Sequence, residues 1–336
     1  MERNDLVERL EKIQQKGSHI CNLSPFIADG PWPALKKQTW STTLISTTTT
    51  FWKEKQDEDR VYKGTKESIT SRVALLITNI KFKNKDYNRR SADIDEQNME
   101  QLLKALKYKV VKYTNLTGKE IEEAVKEFSK HPQLEHTDSV FVVIMSHGEK
   151  TAVHGVNFDG NKEDKEQDKF PIDDIFTHLN TENCPDLQDK PKIIIIEASS
   201  GGKKGGVLVS NNPSIHPTVE TDNIQELHPS PRVGEKDTQA DRLGLAHREK
   251  HFLCFRSSTP DTVSYRHPDT GSYFIQYIVE VLNTFACKDH IEELFREVMH
   301  RFEDFSVWTK ERGADTQMAF KYRDSLSKNF YLFPGL

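Results

Sequence analysis

Short, nearly unbroken apolar runs separated by stretches of helical spacing constrain this chain most. RVALLITNIKF (72–82), SVFVVIMSHG (139–148), KIIIIEA (192–198) and HFLCFRSS (251–258) are each about one strand long, and YKVVKYTN (108–115) reads as a fifth strand. Between them, DEQNMEQLLKAL (95–106) places Met99, Leu102, Leu103 and Leu106 at helical spacing. TGKEIEEAVKEFSKH (117–131) opens with the capping-box pair Thr117 and Glu120, and IDDIFTHLN (172–180) is a third helix. SYFIQYIVEVLNTFA (272–286) and HIEELFREVMHRFE (290–303) follow as helices, and NFYLFPGL (329–336) reads as the last strand. A strand apolar on both faces must be covered on both faces. The pattern therefore predicts an α/β fold of three layers, a mostly parallel six-stranded sheet between helices.

Organisation follows from where the pattern stops. Residues 200–250 are rich in Gly, Ser, Asn, Pro and charge, with almost no apolar periodicity. Strands lie on both sides of this stretch, so it reads as a long loop within one domain, 72–336. The parts are then 72–199, the loop 200–250, and 251–336. Residues 1–71 hold one short helical pattern, with Leu6, Leu10 and Ile13 on one face, and the stretch STTLISTTTT (41–50). They are expected to be a flexible arm.

Bulk properties exclude several classes. A formal net charge of −5 gives no general attraction to nucleic acid or an anionic membrane. Cys21, Cys184, Cys254 and Cys287 show no paired spacing, which suits a reducing compartment. No apolar run of about 18 residues and no leader pattern is present, so a cytoplasmic location is expected. No metal and no cofactor is expected.

Ligands of parallel sheets bind beyond the carboxyl ends of the strands. Those ends deliver Asn88-Arg89-Arg90-Ser91, Ser146-His147-Gly148, Glu197-Ala198-Ser199-Ser200-Gly201, and a segment with Arg266 and His267. A histidine, a hydroxyl and several arginines would converge. A strand-end histidine is a natural general base, though a single histidine is as readily structural.

The constellation carries more than its parts. His147 lies 52 residues before Ser199. MSHG, the block DKPKIIIIEASSGG, the segment SSTPDTVSYRHPDTGSYF, HIEELFREV and NFYLFPGL stand in order along residues 62–336. Together they resemble the caspases, proteases that use a cysteine to cleave after aspartate, and within them the inflammatory, interleukin-converting-enzyme type. The resemblance implies His147 as general acid or base and position 199 as nucleophile. It implies an oxyanion hole from the N–H groups of Gly148 and Ser199. Arg90 and Arg266 would hold a substrate aspartate beside Glu197, and Val263 and Tyr265 would line the next subsite. Arg89 would be solvated, and Tyr265 has core packing as its alternative reading. Asp222 and Asp241, ending VETD and TQAD, would be processing sites in the loop. Family members dimerise through the last strand, here 330–333, and a recruitment domain of about 90 residues would not fit in the 71 that precede the first strand.

The motif departs from the family at three positions: Glu197 for glutamine, Ser199 for cysteine, and Ser200. An alcohol must lose its proton during attack, whereas a thiol near pKa 8.5 ionises readily beside a histidine. Changes at 197 and 200 besides 199 point to natural divergence more than to an engineered knockout. The expectation is an impaired protease acting as regulator, decoy or dimer partner of an active caspase in inflammatory or cell-death signalling. The alternative is an active aspartate-directed endopeptidase, working through Ser199 or through a cysteine in the natural gene.

Overall fold

A computed structural model describes residues 40–163, 166–206, 247–309 and 313–336. In chain order, α1 (Thr49–Asp57) and α2 (Lys66–Thr70) precede β1 (Val73–Thr78), α3 (Ala92–Ala105), β2 (Lys109–Thr114), α4 (Gly118–Phe128) and β3 (Val140–Met145). A hairpin of β4 (Ala152–His154) and β5 (Lys169–Pro171) leads to α5 (Asp173–Leu179) and β6 (Lys192–Glu197). Then come β7 (Phe252–Arg256), the small hairpin β8 (Arg266–His267) and β9 (Gly271–Ser272), α6 (Tyr273–Phe285), and α7 (Ile291–Arg301). The pair β10 (Val307–Thr309) and β11 (Gly313–Asp315) and the strand β12 (Phe320–Tyr322) complete the order.

The central sheet has six strands in the order β12-β7-β6-β3-β1-β2. Five are parallel, and β12 runs antiparallel to β7. The predicted three-layer α/β architecture is what forms, and alternation along each strand explains it. Ile193 and Ile195, with Phe141 and Val143, face the layer of α3, α6 and α7. Ile194 and Ile196, with Val142 and Ile144, face the layer of α4 and α5. All four isoleucines of β6 are fully buried, each contributing about 1.5–3 kcal/mol of apolar burial. The Thr117–Glu120 capping box starts α4 as its sequence predicts, and Ser272 caps α6 by accepting from the Ile275 N–H.

Two expectations need correction. Residues 329–336 are not a sheet strand. Phe330 and Leu332 are buried in the core of the α3–α6–α7 side, while Tyr331 and Phe333 pack with Val61 and Ile69. The Leu332 carbonyl accepts from Arg72 Nη1 at 2.7 Å, and Asn329 bridges to Val61. The run is apolar because its own chain covers it, so 330–333 is no edge for a second chain. The sheet's two edges among the described residues are β2, which pairs with β1, and β12, which pairs with β7; β12 is the one the sequence reading missed. It has three residues of mixed polarity, too few for a period to show.

Residues 40–71 are built into the fold rather than forming a flexible arm. Trp40 stacks edge-on to Phe285, and the Arg301 guanidinium lies 4.2 Å from its ring. Ile45 N donates to Asn283 O at 2.9 Å and Thr47 N to Pro334 O at 2.7 Å. These contacts depend on residues about 240 to 290 positions away, which no local pattern reveals. The helix expected over residues 5–15 lies outside the described residues.

Candidate active site

Sheet register brings the functional segments level. Thr78 of β1 pairs with Met145 of β3, and Met145 pairs with Glu197 of β6. The chains leaving these ends, with the segment after β7, enclose a cavity of about 400 Å³. Its walls include Asn88, Arg89, Arg90, Ser146, His147, Glu197, Ser199, Val263, Ser264, Arg266 and Pro268. It lies beyond the carboxyl ends of the parallel strands, where the sequence reading placed a site.

His147 is fixed by what faces its ring. Nε2 lies 2.8 Å from the Tyr87 carbonyl oxygen, and the ring sits against Phe82 and Tyr87. A carbonyl only accepts, so Nε2 carries the proton, and in the neutral ring Nδ1 keeps its lone pair. Burial, and after it the charge of Arg89, holds His147 below the usual imidazole range. The ring is therefore a neutral base. Its orienting partner is a backbone carbonyl, which fixes the tautomer but brings no full negative charge to stabilise an imidazolium.

Ser199 follows β6 and lines the same cavity as this ring. Its Oγ accepts from the Ser264 N–H at 3.1 Å. Ser200 is buried, donating from its hydroxyl to Ser258 O and from its N–H to Thr262 O at 2.9 Å. Gly201 passes so close to Asp261 that a Cβ would lie 2.7 Å from its backbone. A Cβ at Gly148 would lie 2.8 Å from Ala152 O, so glycine is required there as well. The N–H groups of Gly148 and Ser199 donate to no acceptor among the described residues. Two such donors are what an oxyanion hole needs.

The arginine assignment changes. Arg90 is exposed and lines the cavity wall. The guanidinium that reaches Glu197 belongs to Arg89, which is 5% exposed rather than solvated. Arg89 Nη1 also donates to Asn79 O at 2.8 Å and Met145 O at 3.1 Å, anchoring the side chain across β1 and β3. A doublet of arginines offers no signal of which one the loop turns inward. Arg266 meets the same carboxylate oxygen, Oε2 of Glu197, at 2.9 Å. Its other terminal nitrogen donates to Asp95, whose second oxygen accepts from Ser272 N at 2.9 Å.

Asp95 was missed by the sequence reading. An acid in the first turn of a helix is ordinary, and nothing local tells that α3 aims it at Arg266. Burial pushes the Asp95 carboxyl up, and Arg266 pulls it back. Burial brings Arg89 down to about 10, still charged at neutral pH. The cluster thus sets two guanidiniums against two carboxylates. Ser264 was also missed; its Oγ donates to Glu197 Oε1 at 3.3 Å.

Val263 is in the wall of this cavity. Tyr265 is not in its wall. Its hydroxyl donates to Asp315, its N–H donates to Gln317 Oε1 at 2.7 Å, and its ring packs on the core. The core-packed alternative is the one observed. Asp222 and Asp241 lie outside the described residues. Among the described residues there is no group of acidic, histidine and cysteine side chains placed to hold a metal, and no helix long and apolar enough to cross a membrane.

Known proteins bear on this geometry. The Caspase domain family matches residues 71–331. The chain is 42% identical over 276 residues to Caspase a of Danio rerio, covering 82% of this chain and 65% of that one. It is 41% identical over 282 residues to Caspase b of the same organism, covering 83% and 60%. With Caspase-1 of Equus caballus it shares 38% identity over 285 residues, covering 85% and 64%. The chain therefore matches 60–65% of the length of these relatives. A family match over most of the chain, on a sheet of this order with its cavity at the strand ends, leads to one conclusion: the chain belongs to the caspase family and is of the inflammatory, caspase-1 type.

Proposed function

We propose that this protein is a catalytically impaired caspase that acts by binding, as a regulator, decoy or dimer partner of an active caspase in inflammatory or cell-death signalling. The observation that carries the reading is the Glu197 carboxylate, which engages both guanidiniums that a substrate aspartate would use. The nucleophile supports it. Ser199 is an alcohol, and the histidine that shares its cavity is oriented by a carbonyl rather than an acid. Removing the orienting carboxylate from a serine protease costs about 10⁴ in kcat, so an alcohol here starts from a deep deficit. A partner chain would add at β12, with Asp222 and Asp241 as sites for cleavage by another caspase, in the cytoplasm.

Incubating the purified protein with fluorogenic aspartyl tetrapeptides tests this. No turnover above buffer is expected. Clear turnover that His147→Ala abolishes would overturn it. Binding to an active caspase, read by co-purification and by change in its rate, is the positive arm.

A second reading is an aspartate-directed endopeptidase using Ser199, or a cysteine in the natural gene, with His147 as base. The uncommitted N–H groups of Gly148 and Ser199 and the neutral His147 favour it. Sequencing the natural codon at position 199, together with the turnover assay, separates the two.

A further inference from the structure

The cluster beneath the cavity has a chemistry of its own. Arg89 directs Nη1 to two backbone carbonyls and Nη2 to Glu197. Arg266 directs Nη1 to Asp95 and Nη2 to Glu197. Every terminal guanidinium nitrogen therefore already has an acceptor. A carboxylate entering the cavity would have to share these guanidiniums with Glu197 and Asp95. It would be a third negative charge beside two already buried, and the further cation facing it is Arg90, which is exposed on the cavity wall where water screens its charge.

The carboxylate oxygens of Glu197 are unequal. Oε2 accepts from both guanidiniums, while Oε1 accepts only a long bond from Ser264 Oγ at 3.3 Å. Oε1 can take a further donor. A cationic side chain would supply one but would sit beside two guanidiniums. A carboxamide supplies an N–H donor without adding charge, and its oxygen is a neutral acceptor for the arginine side.

We infer that this cavity takes a neutral, hydrogen-bond-donating side chain of the carboxamide class, asparagine or glutamine, in preference to aspartate, with Glu197 as the residue that sets the choice. This rests on reading the cavity as a peptide subsite of a protein that binds more than it cleaves.

The test uses the full chain and dye-labelled peptide pools, blocked at both ends and randomised except at one central residue, fixed as Asn, Asp or Lys. Binding is read by fluorescence anisotropy. One hydrogen bond to a charged group corresponds to about tenfold or more in affinity, so the Asn pool should bind about tenfold tighter than the Asp pool. Glu197→Gln should reverse that order. Asp95→Asn raises the cluster by the same single charge and should shift the preference toward Asp, which keeps the test available if the first variant folds poorly. Tighter binding of the Asp or Lys pool by the unmodified chain overturns the inference, as does an unchanged order in both variants or no binding of any pool. Hydrolysis is followed separately by mass spectrometry of the same mixtures. Cleavage would count against the impaired-protease reading while leaving the Asn-over-Asp order to decide the inference.

Discussion

The Glu197 carboxylate accepts from Arg266 Nη2 at 2.9 Å, and the same oxygen accepts from Arg89. One residue of β6 thus joins the loop after β1 to the segment after β7. With Asp95 on the far side of Arg266, the cluster is electrically balanced inside the fold. A charged residue at the end of an isoleucine strand is tolerated only because it is paired, and the pairing is what changes the site.

That pairing has a stability consequence. Glu197→Leu leaves Arg89 and Arg266 short of one buried counter-charge, and breaking such a pair costs about 3–5 kcal/mol. Glu197→Gln keeps a hydrogen-bonding side chain of the same shape and should cost less than half of that. Urea unfolding of the three proteins checks the order. A leucine variant as stable as the original would mean that the ion pair does not form in solution.

Two defects in one site should combine unequally. Ser199→Cys alone restores a thiol that His147 can ionise, but the arginines stay matched by Glu197 and Asp95. Its kcat/KM for aspartyl peptides should stay within about tenfold of background. Adding Glu197→Gln should raise it by about 10²–10³, since donors that fix a reacting group contribute on that scale. Steady-state kinetics of both single variants and the double variant decide this. Full activity in Ser199→Cys alone would show that the pocket was never closed to aspartate.

Legibility in the sequence divided along physical lines. Five of the six sheet strands were readable: β1, β3, β6 and β7 as apolar runs buried on both faces, and β2, a half-exposed edge strand, by its β-branched and aromatic residues. β12 was not, having three residues and one neighbour. NFYLFPGL misled because a buried strap and a buried strand have the same composition. In the site, His147, Ser199, Glu197 and Arg266 were legible as residues following strands. The inward turn of Arg89 rather than Arg90 depends on carbonyls of Asn79 and Met145, and the role of Asp95 depends on a helix packing over the pocket. Both are tertiary facts with no local signature.

His154 offers a titration test. Its ring stacks on Phe158 at 3.6 Å, and burial, followed by His147 once acid has protonated it and by Lys169, lowers it from 6.5 to about 3. The unfolded chain therefore binds one more proton between those values. Stability from this group is fully present above pH 6.5 and is lost as pH falls toward 3, by about 1.4 kcal/mol per pH unit at most. His154→Phe keeps the stack and removes the titration. Denaturant midpoints at pH 7, 6 and 5 should fall more steeply for the original protein than for the variant. Parallel curves would place the His154 ring in water.

The strap of residues 40–47 is held by contacts at its two ends. At one, Arg301 lies between the Trp40 and Tyr277 rings, 4.2 and 3.9 Å from their centroids, and Ser41 N donates to Thr284 Oγ1 at 2.9 Å. At the other, the Thr47 hydroxyl donates to Cys287 O at 3.1 Å. Trp40→Ala removes the aromatic half of the first anchor, a loss of about 1–2 kcal/mol for a partly desolvated cation–π contact. The strap should open locally while the sheet stays closed, because its backbone bonds to Asn283 and Pro334 lie outside the core strands. Hydrogen exchange would show it: the amides of Ile45 and Thr47 should exchange at least about fivefold faster in the variant, with those of β3 and β6 unchanged. Equal acceleration across the sheet would instead mean that Trp40 supports the whole domain, and unchanged exchange at Ile45 and Thr47 would mean that the anchor at Cys287 suffices.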